Sequence, residues 1–115
     1  MSVRRQKEIP PRCPFCHREI DPPQEMDLSL FYEFDGGRCS CGAHYAFDPT
    51  TRNGGAVLLQ AMVQACEGDW ERAQTLRPGV DFYEGMVTHY SALSHTVGNP
   101  GAFGTIYFVR LRPKK

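Results

Sequence analysis

The stretches Cys13-Pro-Phe-Cys16 and Cys39-Ser-Cys-Gly42, separated by 22 residues, decide how this chain folds. A Cys-x-x-Cys turn directs two sulfurs at one ion, and structural zinc takes four such ligands in a tetrahedron. Five cysteines without an apolar N-terminal leader are typical of a reducing compartment, where closely spaced pairs bind metal more often than they form disulfides. We therefore expect a cytoplasmic protein with one structural zinc ion, bound by Cys13, Cys16, Cys39 and Cys41.

The second cysteine pair leaves the identity of one ligand open. A single residue separates Cys39 from Cys41, one fewer than in the usual metal-binding turn. Cys41-Gly-Ala-His44 has the two-residue gap that metal pairs favour, so an alternative ligand set replaces Cys39 by His44. His17, which follows the first pair, is expected to hydrogen-bond around the site or to face solvent.

Residues 13–47, and the Cys-Pro-Phe-Cys turn above all, resemble the zinc-ribbon superfamily. In that superfamily two cysteine turns at the ends of β-hairpins hold one ion, so the resemblance implies an antiparallel sheet and a closed site. The segment from Cys41 to Pro49 also resembles a rubredoxin turn, which would hold iron; the short spacing and the helical segment behind it favour zinc. The Cys-x-Cys-Gly-Ala and Gly68-Asp-Trp patterns are similar to those of small, uncharacterised bacterial zinc-ribbon proteins.

Hydrophobic periodicity predicts three strands and three helices. The predicted strands span 28–34, 43–47 and 103–111, and the predicted helices span 56–66, a short segment capped by Asp69, and a segment from Asp81 to Thr96. The last strand is apolar on both faces and needs a sheet to join, and the ribbon strands supply one. We therefore expect an α+β fold: a zinc-ribbon-like antiparallel sheet with a three-helix segment and a C-terminal strand that joins the sheet.

The length of 115 residues and the 41% hydrophobic content fit one domain. We expect a single zinc-binding domain over 13–111 between two basic tails. Its parts are a ribbon at 13–48, helices at 54–97 and the strand at 103–111, and the tails are 1–12 and 112–115. No run of residues is apolar enough to span a membrane.

The net charge of zero conceals a separation of charge along the chain. Residues 13–109 contain twelve acidic and five basic side chains, whereas residues 1–12 carry a net charge of +3 and residues 110–115 a net charge of +4. Basic termini are usually solvated ends, but they also suit contact with nucleic acid or with an acidic partner.

The loop before the first predicted helix is a candidate anion site. A helix N-terminus offers free amides and a favourable dipole, and nearby hydroxyl and guanidinium groups could complete the site. The alternative is an elaborate helix cap, which we favour because the phosphate-loop signature is missing. The candidate residues are Thr50, Thr51, Arg52, Asn53, Gly54 and Gly55.

Three further expectations concern polar and thiol side chains. Gln60 and Gln64 share one face of an apolar helix and should meet polar partners inside the protein. Cys66 should be a buried thiol. His89 and His95 should lie on different faces of the third helix, at the surface.

The sequence favours a non-catalytic module that binds another protein. Four thiolates leave no open position on zinc, and no nucleophile motif is present, so we expect no enzyme activity. One alternative is a nucleic-acid binder that uses the basic tails and stacks bases on aromatic side chains, namely Phe15, Phe31, Tyr32 and Tyr45. Another is an anion or phosphate receptor at Thr50–Gly55. The oligomeric state and the partner are not indicated by the sequence.

Overall fold

A five-stranded antiparallel sheet organises the chain in the computed structural model, which describes residues 9–99 and 101–113. The strand order is β1-β2-β5-β3-β4, so the last strand lies at the centre. Along the chain the elements are a short 3-10 turn Leu28–Leu30, β1 Gly36–Arg38, β2 His44–Asp48, α1 Gly54–Ala65, α2 Trp70–Thr75, β3 Phe82–Ser91, β4 Thr96–Val97 and β5 Gly104–Leu111.

Strand β5 joins the two halves of the chain. It pairs with β2 through registers such as Tyr45 with Phe108, and with β3 through registers such as Phe82 with Leu111. The predicted joining of the last strand to the ribbon is therefore confirmed. Its side chains are buried on both faces along most of its length, as its β-branched and aromatic composition indicates.

Successive side chains of β5 enter two different cores because strand side chains alternate between faces. Tyr107 and Val109 pack toward α1, with Val57 and Ala61 of that helix. Ile106 and Phe108 pack on the opposite face, in the core that also contains the cysteine side chains. The sheet is thus a middle layer between the helices and the N-terminal segment.

The helices at 54–65 and 70–75 agree with the sequence, but the third predicted helix is wrong. Residues 82–91 form β3, and the described residues contain two α-helices, not three. Phe82, Met86 and Tyr90 recur at four-residue steps, which fit a strand as well as a helix because four is a multiple of two. A bulge between Val87 and Tyr90 then moves Tyr90 to the other face of the sheet, and Leu93 is fully exposed.

The strand predicted over 28–34 is also wrong. The chain there makes a 3-10 turn and then runs irregularly to β1. Phe31 has a φ of 63°, which an extended strand cannot contain, and its ring is 75% exposed. Tyr32 instead packs beside Val63 and Cys66, so this aromatic side chain belongs to the helical core and not to a sheet.

The predicted tails and the predicted helical segment differ in part from the structure. Of the predicted tails, residues 1–8, 114 and 115 lie outside the described residues. Ile9 belongs to the folded part, because it forms an isolated antiparallel bridge with Val97. The segment 54–97, predicted as helical, contains β3 and β4 in its second half.

A buried amide network holds the segment before β1 against α1. The Gln60 side chain accepts from the backbone N–H of Phe34 (2.9 Å) and donates to the Phe34 carbonyl (2.8 Å). Gln60 also donates to the Gln64 side-chain oxygen (2.9 Å), and Gln64 donates to the Tyr45 carbonyl (3.0 Å). The expected interior partners of both glutamines are confirmed. For Phe34, these side-chain hydrogen bonds take the place of backbone hydrogen bonds to a neighbouring strand.

Replacing Gln60 by Ala should destabilise the domain by about 3 kcal/mol, because both backbone polar groups of Phe34 lose their partner in a buried place. Urea unfolding followed by circular dichroism measures the change. Gln74→Ala, on the exposed side of α2, is the matched control and should stay within about 0.5 kcal/mol of the parent. Equal effects of the two changes would show that the network adds no stability.

Candidate metal centre

Residues 9–24, called the strap here, cross the sheet from one edge to the other. Ile9 bridges to Val97 of β4, and Gln24 bridges to Gly36 of β1, at the opposite edge. Between these points the strap lies on the face away from α1, where Ile20 packs in the same core as Phe108. The first cysteine pair is therefore presented directly to the sheet.

The first cysteine turn is closed by backbone hydrogen bonds. The N–H of Cys13 donates to the carbonyl of Arg18 (2.9 Å), and the N–H of His17 donates to the carbonyl of Cys13 (2.9 Å). Phe15 directs its N–H at the Cys13 sulfur at 3.4 Å. Such amide donors favour the thiolate form, which is the form that binds metal. The His17 side chain is exposed, and its backbone takes a left-handed φ of 66°.

The second cysteine turn is the tip of the β1–β2 hairpin. The N–H of Cys39 donates to the carbonyl of Ala43 (2.8 Å), and the N–H of Gly42 donates to the carbonyl of Cys39 (3.0 Å). Gly42 has a φ of 98°, which a residue with a side chain rarely adopts. Glycine at this position lets the tight hairpin tip carry both cysteines on one side although a single residue separates them.

The four sulfurs of Cys13, Cys16, Cys39 and Cys41 all lie within 4.8 Å of one another. The sulfur of Cys13 is 3.7 Å from that of Cys41, and the sulfur of Cys16 is 3.5 Å from that of Cys39. Tetrahedral zinc with bonds of about 2.3 Å requires sulfurs about 3.8 Å apart. The cluster is compatible with one metal ion, and an all-sulfur donor set suits zinc or iron.

The surroundings of the cluster act on the thiols in opposite directions. Burial raises the pKa of Cys13 to about 12 and also raises the pKa of Cys39. Hydrogen bonding from the backbone of Arg18 lowers the pKa of Cys16 to about 7. A bound cation would offset the burial of the thiolates, since coordinating thiols are deprotonated outright.

His44 lies on the other face of the sheet from the cluster. It pairs with Arg38 and Val109, and Val109 packs toward α1, whereas its neighbour Tyr45 packs toward the cysteines. Burial lowers the pKa of His44, and the nearby charge of Arg38 lowers it further. The structure therefore brings Cys39, and not His44, to the other three sulfurs.

The Thr50–Gly55 loop is organised around the protein's own carboxylate. Asp48 is fully buried and accepts hydrogen bonds from the N–H groups of Thr50 (2.9 Å), Thr51 (3.1 Å) and Asn53 (2.9 Å). The Asn53 side chain does not cap α1. Because these amides point inward at Asp48, the arrangement favours a structural loop over anion binding.

Two aromatic residues predicted to stack on bases are inaccessible. Tyr32 and Tyr45 are 5% and 1% exposed, and the Tyr45 hydroxyl donates to the carbonyl of Asp21 (2.8 Å). Phe15 is half-buried against the sheet and Phe31 remains exposed. Cys66 is buried as expected, and burial raises the pKa of its thiol.

His95 is a structural residue that the sequence does not reveal. It follows β3, where it is half-buried rather than on a helix surface. The Tyr90 hydroxyl donates to its Nδ1 (2.7 Å), and its Nε2 donates to the carbonyl of Ile20 in the strap (2.8 Å). The sequence prediction gave no sign of this contact, because it placed His95 at the surface of a helix. His89 is exposed, as expected.

Gly85 is a second residue that the sequence does not reveal. A Cβ atom at this position would lie 2.8 Å from Cγ of Pro14 and 3.6 Å from the ring of Phe15. The missing side chain thus lets the first cysteine turn rest on β3. No sequence pattern indicates this contact, since the turn and the strand are about seventy residues apart.

Comparison with known proteins does not show a family. No protein-family model, no curated protein and no solved structure matches this chain. Within residues 9–99 and 101–113, no helix has the length and apolar character needed to cross a bilayer. The resemblance of residues 13–47 to the zinc ribbon therefore stays a prediction.

Replacing Gly85 by Ala should weaken metal binding and lower stability by about 1–3 kcal/mol, because Pro14 must shift to admit the methyl group. Competition with a chromogenic chelator measures the affinity, and thermal unfolding measures the stability. Gly55→Ala is the control: nothing lies within 4 Å of its added Cβ, so it should keep full affinity and gain up to about 1 kcal/mol. Undiminished metal affinity in Gly85→Ala would refute the contact's role.

Proposed function

We propose that one structural zinc ion binds to Cys13, Cys16, Cys39 and Cys41, and that the chain is a non-catalytic protein-interaction module. The observation that carries the metal assignment is the convergence of the four sulfurs within 4.8 Å. Four thiolate ligands close the coordination sphere of zinc and make it a poor Lewis acid, so they suit a structural ion. Arg18 adds a second tie between the two turns, because its guanidinium donates to the Ser40 hydroxyl (2.9 Å).

The position of the cluster supports a role in folding. The strap and the β1–β2 hairpin meet at the four sulfurs, and both pack against the central strand β5. A structural zinc site contributes on the order of 10–16 kcal/mol, which is as large as the whole stability of a typical domain. The ion would therefore hold one entire layer of the protein on the sheet.

The surface supports a partner that docks on a face rather than along a strand edge. Both edge strands are short and each meets the strap, β4 at Ile9 and β1 at Gln24. On the helix side, α1 packs on β2 and β5, and Met86 of β3 is 56% exposed. Met86 is the contact that we assign to the partner, because a flexible methionine side chain adapts to different protein surfaces.

The purified protein should contain one zinc ion per chain by elemental analysis, and a strong chelator should abolish its cooperative thermal transition. Cys16→Ser should lose the metal because one ligand is missing. Cys66→Ala is the matched control and should retain it, since Cys66 lies in a different core. Metal-free protein with an unchanged melting curve would refute the structural role, and stoichiometric iron would refute zinc.

A specific protein partner should be retained from the native cell extract by the immobilised zinc-loaded chain and lost with Met86→Glu. Quantitative mass spectrometry of the captured proteins measures the difference. Leu93→Glu is the control, because Leu93 is fully exposed in the β3–β4 turn, away from this face. A protein captured equally by all three forms would not be bound through this face.

A further inference from the structure

Two adjoining depressions lie where β5 ends. One, of about 620 Å³, is bounded by α2 and the chain leading into β3, and the other, of about 390 Å³, is bounded by the second cysteine turn and the end of α1. They share Leu111 and Pro113 as a common wall. We call their union the arginine groove, because its lining includes Arg38, Arg72, Arg77, Arg110 and Arg112.

The groove concentrates the positive charge of an otherwise acidic surface. Residues 9–99 and 101–113 contain eight arginines and no lysine, and five of the eight line the groove. They also contain twelve acidic side chains, of which only Glu67 and Asp81 contribute to the lining. In the sequence, Pro113 is followed by two lysines, Lys114 and Lys115.

Most of these guanidinium groups are available to a ligand. Arg77 pairs with Asp81 at 3.4 Å, and Arg112 donates to the carbonyl of Gly79 (3.1 Å). Arg38, Arg72 and Arg110 are exposed, and in the described part of the chain no carboxylate lies within ion-pair distance of them. Five like charges at one place repel each other and attract a multivalent anion.

An exposed aromatic ring, outside the lining of the groove, contacts one of its arginines. Tyr83 is 44% exposed and is the cross-strand partner of Arg110. The guanidinium of Arg112 lies 5.3 Å from the centre of its ring, and the ring of Phe15 lies 6.4 Å away. An exposed aromatic ring beside arginines can stack on a nucleobase while the arginines bind phosphates.

We propose that the arginine groove binds single-stranded nucleic acid, with the arginines on successive phosphates and Tyr83 stacked on a base. Guanidinium forks match phosphate oxygens in a two-pronged geometry, and the described lining of the groove contains five arginines and no lysine. An acidic peptide would satisfy the charges but would leave the exposed ring of Tyr83 unused. Of the residues considered earlier for nucleic-acid binding, this proposal uses Arg110 and Arg112 of the basic C-terminal segment but not residues 1–12, Tyr32 or Tyr45. It does not depend on the protein partner proposed above. Only the wall at Cys41 and Gly42 relies on the metal.

The test uses the full zinc-loaded chain and fluorescein-labelled oligothymidylate and oligouridylate of about 12 nucleotides, followed by fluorescence anisotropy. Binding should weaken steeply as salt rises from about 50 mM to about 200 mM, because phosphate contacts release counterions. Arg72→Gln and Arg110→Gln should each raise Kd by about tenfold and reduce the salt slope by about one. Arg52→Gln removes the same charge outside the groove and should leave Kd within about twofold of the parent.

Tyr83→Leu tests the stacking contact and should raise Kd for both oligonucleotides by about fivefold or more without changing the salt slope. The proposal is overturned if neither oligonucleotide binds at low salt, or if Arg52→Gln weakens binding as much as the groove variants. It is also overturned if a poly-glutamate peptide of equal charge competes as well as unlabelled oligonucleotide and Tyr83→Leu has no effect, since the groove would then fit an acidic protein segment. Zinc content is measured for every variant, so a failure with full metal occupancy bears on the groove alone.

Discussion

The approach of four cysteine sulfurs to within 4.8 Å is the constraint on which the rest of the structure depends. Two of them belong to a strap that crosses the whole sheet, and two belong to the tip of the β1–β2 hairpin. Buried thiolates at such separations are stable together only when a cation neutralises them. A metal ion bound by the four sulfurs would therefore add a charge interaction to the apolar burial that holds one layer of the protein on Ile106 and Phe108 of the central strand.

The opposite layer is held by hydrogen bonds from buried polar side chains. Gln60 and Gln64 form hydrogen bonds with the backbone of the segment before β1 and of β2. The Asp48 carboxylate accepts hydrogen bonds from backbone N–H groups of the loop that leads into α1. Among the described residues, no buried side-chain polar atom lacks a partner. Complete pairing matters because a buried polar group without a partner costs about 1–3 kcal/mol. Irregular segments such as residues 31–35 can therefore be part of the core without belonging to a strand.

Charge is distributed according to these layers. The second cysteine turn and the end of β5 form one end of the sheet, and five arginines meet there, whereas most carboxylates lie elsewhere. The four-cysteine cluster thus stands at the edge of the most basic surface of the described chain, and Cys41 contributes to the lining of that surface.

Local chemistry was enough to predict several parts of this protein. The spacing of Cys13, Cys16, Cys39 and Cys41 indicated a metal cluster, and the structure brings those sulfurs together. The apolar periodicity of α1, the capping residue Asp69 and the β-forming run of β5 each specified an element, because each depends on neighbours in sequence.

Long-range contacts decided the rest. The four-residue repeat from Phe82 to Tyr90 fits both a helix and a strand, and only pairing with β5 selects the strand. The same pairing puts Gly85 beneath Pro14 and brings His95 to the strap, while strand alternation turns His44 away from the cluster. The arginine groove is lined by side chains from β1, α2 and the end of β5. These elements are far apart in sequence, so the sequence does not indicate that the side chains lie close together. Sequence alone therefore determined which residues could hold a metal and which local elements could form, and tertiary structure decided which surfaces they create, because those surfaces depend on strand pairing between distant segments.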